Sequence, residues 1–195
     1  QVTVTVNGRV AFVNYVSPTQ VNVQVPDGFP RPGTYPVVLN YRGLTSAPYS
    51  FTLNPVQPGL LAPASFKVAD KQYAAAVHAS TGALVANSTI PGVLAAPAVP
   101  GETLTFYGIG WGNVTNTEAI AGAVNQRVAP LEGEVEFTIG SIRAQVSYAG
   151  LAVGLVGVDQ FNVVVPDNAP NGDLALTVVF NSSPIRQTLY LPVQR

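Results

Sequence analysis

Cysteine is absent from this 195-residue chain, and so is methionine, while histidine and tryptophan occur once each. Without thiols there is no disulfide framework, no thiolate metal site and no cysteine nucleophile. Ionisable residues are scarce too. Asp, Glu, Lys and Arg make up 10% of the chain, against roughly 25% in ordinary globular proteins. The formal net charge is −1, so the surface must be built from Thr, Ser, Asn, Gln and backbone. No basic or acidic block offers a hold for nucleic acid or an anionic membrane. No apolar run reaches the roughly 18 residues of a membrane helix. The nearest approach, residues 146–158, is broken by Gly150, Gly154 and Gly157. The chain opens at Gln1 without Met or signal peptide, which reads as a mature or excised segment.

What the chain does contain is a copy of itself. Gln20-Val21-Asn22-Val23-Gln24-Val25-Pro26-Asp27 returns 140 positions later as Gln160-Phe161-Asn162-Val163-Val164-Val165-Pro166-Asp167. Upstream, Val2-Val4-Val6 and Tyr15 match Val135-Phe137-Ile139 and Tyr148 at an offset of 133. The difference is a seven-residue insertion, Gly150 to Val156, in the second copy. Pro55-Val56-Gln57 recurs as Pro192-Val193-Gln194. A repeat of this length describes a duplicated module, and the fold must be read as a tandem.

Period-2 alternation dominates both copies. In the first it predicts strands at 2–6, 10–16, 21–25, 35–41 and 49–53, and in the second at 134–139, 142–148, 160–165, 174–180 and 188–192. Pro26 and Pro166 end equivalent strands because proline donates no ladder hydrogen bond. Gly33 and Gly172 are expected in turns that require positive φ. Between the copies, Pro58–Leu61 opens a strand, Gln72–Ala86 forms a hairpin about Ser80-Thr81-Gly82, and Glu102–Tyr107 is a further strand. Residues 113–133 read as an irregular loop with one helical turn near Glu118–Ala121. The class is all-β: two tandem immunoglobulin-like β-sandwiches, the first lacking its initial strands. The expected division is a truncated sandwich at 1–57 and a complete one at 58–195. The latter carries an extra hairpin at about 66–86 and the long loop at about 113–133.

Candidate chemistry is thin. His78, alone of its type, has no accompanying nucleophile signature and reads as a hairpin residue rather than a catalytic base. Asp167, Asn168, Asn171 and Asp173 bring oxygen ligands of the kind calcium accepts, but without EF-hand spacing they read as a turn. Glu132, Glu134 and Glu136 line one strand face at period 2, a solvated row rather than the cleft-flanking pair that glycoside hydrolysis needs. Trp111, Tyr107 and Phe106 beside a glycine-rich turn are the candidate sugar-stacking surface, and core packing is the competing reading. Asn87, Asn113 and Asn181 head three glycosylation sequons. No catalytic, cofactor or metal residue is assigned.

Tyr15-Val16-Ser17-Pro18-Thr19-Gln20-Val21-Asn22, Tyr148-Ala149-Gly150-Leu151-Ala152 and the run Gly154–Pro166 carry a resemblance to a known family. Tyr107-Gly108-Ile109-Gly110-Trp111-Gly112 and Ile139-Gly140 support it. The chain resembles the Ig-like C-terminal repeat of secreted acidobacterial (Solibacter-type) proteins over nearly its whole length. The resemblance implies an extracellular or cell-surface module without enzymatic activity.

The functional expectation is a non-catalytic structural or adhesive module. Its partners would be other copies of itself or other surface proteins, with glycan binding through Trp111 and Tyr107 as the alternative. Nucleic acid and membrane insertion are not expected. Five strands where a sandwich wants about seven leave an apolar groove and unpaired edge groups in the first copy. Such an edge invites a strand from another chain, with Val2–Val6 or the Gln72–Ala86 hairpin as donors, and head-to-tail repetition would build a filament.

Overall fold

The computed structural model describes residues 1–87, 93–115 and 119–195. The fold is all-β and immunoglobulin-like. Among the described residues the helical content is one three-residue 3-10 turn, Ala64–Phe66. The first copy contributes β1 (Val2–Val6), β2 (Arg9–Val10), β3 (Phe12–Val16), β4 (Val21–Gln24), β5 (Gly33–Tyr41), β6 (Leu44–Thr45) and β7 (Tyr49–Leu53). One sheet runs β2-β1-β5-β6, with β7 pairing farther along β5 on the same edge as β6, and β3-β4 form a separate two-stranded sheet. The strand expected at 10–16 divides at Ala11, whose N–H donates to Val4 O at 2.8 Å. That step carries the chain from one sheet to the other.

The remaining strands are β8 (Gly59–Leu60), β9 (Lys67–Val68), β10 (Lys71–Gln72), β11 (Ala76–His78), β12 (Leu84–Val85), β13 (Ala95–Ala96), β14 (Thr103–Ile109) and β15 (Ala129–Pro130). After them come β16 (Val135–Ile139), β17 (Ile142–Leu151), β18 (Asp159–Val164), β19 (Gly172–Phe180), β20 (Ser183–Pro184) and β21 (Leu189–Val193). Here β17 is long enough to serve both layers. Its first residues pair with β16 and the rest pair with β18, across a bulge between Val146 and Tyr148.

The two copies agree strand for strand in register. Val2 faces Tyr41 as Val135 faces Phe180, and Val37 faces Tyr49 as Leu176 faces Leu189. The bulge is duplicated as well, lying between Val13 and Tyr15 in the first copy. An extra residue at that point kinks the strand and raises its twist, so the inherited sequence carries the curvature with it.

Three expectations need correction. Gly33 does not have positive φ. It opens β5, and a Cβ there would run into the Tyr35 ring. Gly172 does, at φ 130°. The helical turn expected near Glu118–Ala121 falls partly on residue 118, outside the described residues. From Ala119 onward the chain makes a turn with Ala123 N–H on Ile120 O at 3.1 Å, not a helix. The strand expected to open at Pro58–Leu61 is confined to Gly59–Leu60, and a 3-10 turn follows at Ala64–Phe66.

The apolar side chains gather in two clusters of unequal size. Val4, Val6, Ala11 and Phe29 are the buried members of the first. The second has twenty-two buried members, among them Leu104, Phe106, Trp111, Phe137, Phe161, Leu189 and Leu191.

Candidate functional site

The residues that sequence alone offered for chemistry are each tied into the framework. His78 is buried at the end of β11. Its Nδ1 lies 2.7 Å from Glu102 Oε2 and its Nε2 lies 3.2 Å from Ala96 O. The other Glu102 oxygen takes Val99 N–H at 2.5 Å. This is a clamp joining β11, β13 and the approach to β14, with no nucleophile in the contact set.

Asp173 is not in a calcium turn. It sits on β19, where Lys71 Nζ and Asn87 Nδ2 reach it at 2.9 and 2.6 Å. The Lys71 hydrogen bond holds its carboxyl below the usual carboxylate range. Its neighbour Tyr73 is pushed up to about 12, first by burial and then by its hydrogen bond to Asp173. Asn171 Oδ1 accepts Arg195 N–H, and the Asp167 backbone carbonyl takes the Arg195 guanidinium. Among the described residues no group of three or more His, Cys, Asp or Glu is placed to hold a metal ion.

Glu132 and Glu134 are exposed, and Glu136 pairs with Arg143 at 3.0 Å. A cleft of about 420 Å³ bordered by Arg31, Val56, Asn113 and Glu132 contains one carboxylate, where hydrolysis of a glycosidic bond needs two. Of the sequon asparagines, Asn87 is bound to Asp173, and Ser88 and Thr89 lie outside the described residues. Asn181 occupies the β19–β20 turn at φ 47°.

Trp111 corrects the sugar-stacking expectation. It is 1% exposed, and Phe106 is likewise buried. The indole packs on Phe161 and Phe180 with ring centroids 4.6 and 5.5 Å away, and its N–H donates to Gly59 O at 3.3 Å. Gly110 makes the turn that seats it. With φ +83°, a Cβ there would press on the Gln57 carbonyl, so only glycine fits.

Asp159 escaped the sequence reading. It is 6% exposed at the start of β18, and burial pushes its carboxyl up to about 7 despite the Trp111 backbone N–H it accepts. A signal was present. Alternation puts 159 on the same side as Phe161 and Val163, so an acid was due to point inward.

The feature that stands apart lies in the first copy. Tyr49 and Leu189 hold the same register position on β7 and β21. Tyr49 is 74% exposed and Leu189 is 2%. Tyr41 and its equivalent Phe180 are 44% and 4% exposed. Val21, Val23 and Val25 are half-buried where Phe161, Val163 and Val165 are sealed. The reasons are Tyr73–Ala74 beside β21 and, beside β18, β14. It pairs with β18 along six residues and brings Leu104 and Phe106 over the inner face of the second sandwich. Among the described residues nothing pairs with the corresponding side of β4.

This inner face belongs to a segment with a recognisable signature. Residues 1–53 match the IPT/TIG domain family. The match covers the first copy from β1 to the end of β7, and the module it describes is immunoglobulin-like. No match was found among the curated proteins or among the solved structures. The uncovered face of Tyr41 and Tyr49 therefore lies on the IPT/TIG segment itself.

Proposed function

We propose that the chain is a secreted, non-catalytic structural or adhesive module of the repeat type its sequence resembles, and that its IPT/TIG segment is completed by a β-strand from a partner chain. The observation that carries this reading is the exposure of Tyr49 against that of Leu189 at one register position. Apolar area left in water is unfavourable by roughly 25 cal/mol per Å², and an unpaired edge adds free N–H and C=O groups. Both are relieved by one added strand. Ig-like modules of the IPT/TIG kind are general protein-interaction modules, which supports a protein partner. The carbohydrate-binding alternative loses Trp111, which is buried, and is left with the half-buried Tyr107.

The two donors expected from sequence are both engaged. β1 lies between β2 and β5, and the hairpin of β11 and β12 is bound to β14. The incoming strand is therefore one that is free in its own chain. Beads coated with the full chain and applied to cells of the source organism test the adhesive reading. Retention of these beads, and release of beads carrying Tyr41→Asp and Tyr49→Asp together, is the expected result. Equal retention of both, or of neither, overturns it.

A further inference from the structure

The chain contains its own template for a strand beside β4, a place that none of the described residues fills. In the second copy β14 runs antiparallel to β18, with Thr103 opposite Val164, Leu104 opposite Val163, Thr105 opposite Asn162 and Phe106 opposite Phe161. Moved back by the 140 positions of the repeat, those partners are Gln24, Val23, Asn22 and Val21, which together are β4. The side chains to be met are already set. Gln160 donates to Asn162 Oδ1 at 2.9 Å, and Thr105 Oγ1 donates to the same oxygen at 3.2 Å. In the first copy Gln20 donates to Asn22 Oδ1 at 2.6 Å, and the threonine position is vacant.

Resting on the strand-completion reading above, we infer that β4 is a strand-acceptor site for an uncharged extended peptide. The peptide runs antiparallel to β4 and reads apolar–Thr–apolar opposite Val23, Asn22 and Val21. The two apolar side chains enter over the first cluster, where Val21 and Val23 are half-buried, as Leu104 and Phe106 enter the larger one. The threonine hydroxyl donates to the free lone pair of Asn22. Charge is disfavoured along β4 itself. Residues 17–25 contain no ionisable side chain, and an unpaired charge in such a groove loses hydration with nothing in return.

The acceptor is short for a structural reason. Ser17 N–H bonds Gln20 O at 2.8 Å and closes the β3–β4 turn, whereas the inserted residues let β17 and β18 run on to Leu151 and Asp159. At the other end, Gly122 N–H donates to Gln24 Oε1 at 2.7 Å and Ala121 N–H to Asp27 Oδ2 at 2.6 Å. These contacts use side chains and leave the free backbone side of β4 open.

Because the chain has no cysteine, a disulfide can form only where one is introduced. Residues directly opposite in an antiparallel pair have Cα atoms about 4.5–5.5 Å apart, within the span a disulfide accepts. The test takes the full chain with Asn22→Cys and synthetic peptides of the 103–109 sequence with blocked termini, which leaves out the charged Glu102. The peptides carry cysteine in place of Thr103, Thr105 or Tyr107, and disulfide exchange is run under glutathione buffer. The expected adduct forms at least tenfold more with the Thr105 peptide than with the other two. It disappears when the same peptide also carries Leu104→Asp and Phe106→Asp.

Equal yields at the three positions, or insensitivity to the aspartates, overturn the inference. So does a disulfide between two Asn22→Cys chains in place of the peptide adduct, which makes the face a contact between copies. An unmodified chain bound to the unmodified peptide, with Tyr49 iodination slowed, checks that cysteine chemistry did not force the pairing. Bead retention without a Thr105-specific adduct removes this inference and leaves the adhesive reading standing. Loss of retention with the adduct intact does the reverse.

Discussion

Asp159→Asn isolates the one carboxylate that the fold buries beside its only tryptophan. In the folded chain its carboxyl is raised from 3.8 to about 7. That spans about three pK units at about 1.4 kcal/mol each, so holding the ionised form inside the fold is unfavourable by about 4 kcal/mol. Between roughly pH 4 and 7 the folded chain keeps a proton that the unfolded chain has released. Stability from this group is therefore complete below pH 4 and falls as pH rises through 7.

Asparagine keeps an oxygen for the Trp111 backbone N–H and cannot ionise. Its amide N–H groups bring an offset of about 1–3 kcal/mol if they lack partners, but that offset does not vary with pH. The slope is thus the readout. Urea unfolding followed by Trp111 fluorescence, measured from pH 4.5 to 8, is expected to show a falling midpoint in the native chain. In the variant, about 4 kcal/mol of that fall disappears. Parallel profiles for the two proteins would refute the argument that burial governs Asp159.

Other perturbations separate the two copies. Leu189→Ala should cost about 2–5 kcal/mol by leaving a cavity, whereas Tyr49→Ser at the equivalent position should stay within about 0.5 kcal/mol; chemical denaturation of both variants measures the contrast. Trp111 emission should be blue-shifted, resist acrylamide, and not respond to added polysaccharide, since the ring is enclosed by Phe161 and Phe180. Lys71→Met removes a partly exposed ion pair to Asp173 and should cost no more than about 1 kcal/mol. Asp173 has a lowered carboxyl, so its contribution is present above about pH 4 and lost as pH falls below that. The variant should therefore lose acid sensitivity in a thermal melt below pH 4, a window separate from that of Asp159.

Much of this architecture is legible in the chain because it rests on periods of two. The alternating valines of β1 and the Gln-x-Asn-x-x-Val-Pro frame of β4 and β18 announce their inward faces, and the repeat offset announces their equivalence. Offsets of 133 and 140 also located the loop between β17 and β18. What stayed hidden depends on which layer lies opposite. Tyr49 and Leu189 follow the same pattern in sequence, and the segments packed on the second copy, β14 beside β18 and Tyr73–Ala74 beside β21, decide which is wet. Asp159 was hidden by one residue of strand boundary, since a strand begun at Gln160 leaves it in the loop. The clamp of His78 with Glu102 and Ala96 joins residues that alternation places but cannot pair.

The unequal clusters have a thermodynamic consequence. Among the described residues four buried and nine partly buried apolar residues hold the first copy, against twenty-two and seven in the second, so heat or denaturant should open the first copy while the second stays intact. A molecule that binds only the folded form adds RT ln(1 + [L]/Kd), about 2.7 kcal/mol at a hundredfold excess over Kd. For a segment with so small a core that increment is comparable to its cohesion. An occupied groove would raise the lower transition towards the upper one until the chain melts once. Folding of the first copy is then a function of partner concentration, and the number of transitions in a melt counts its occupancy.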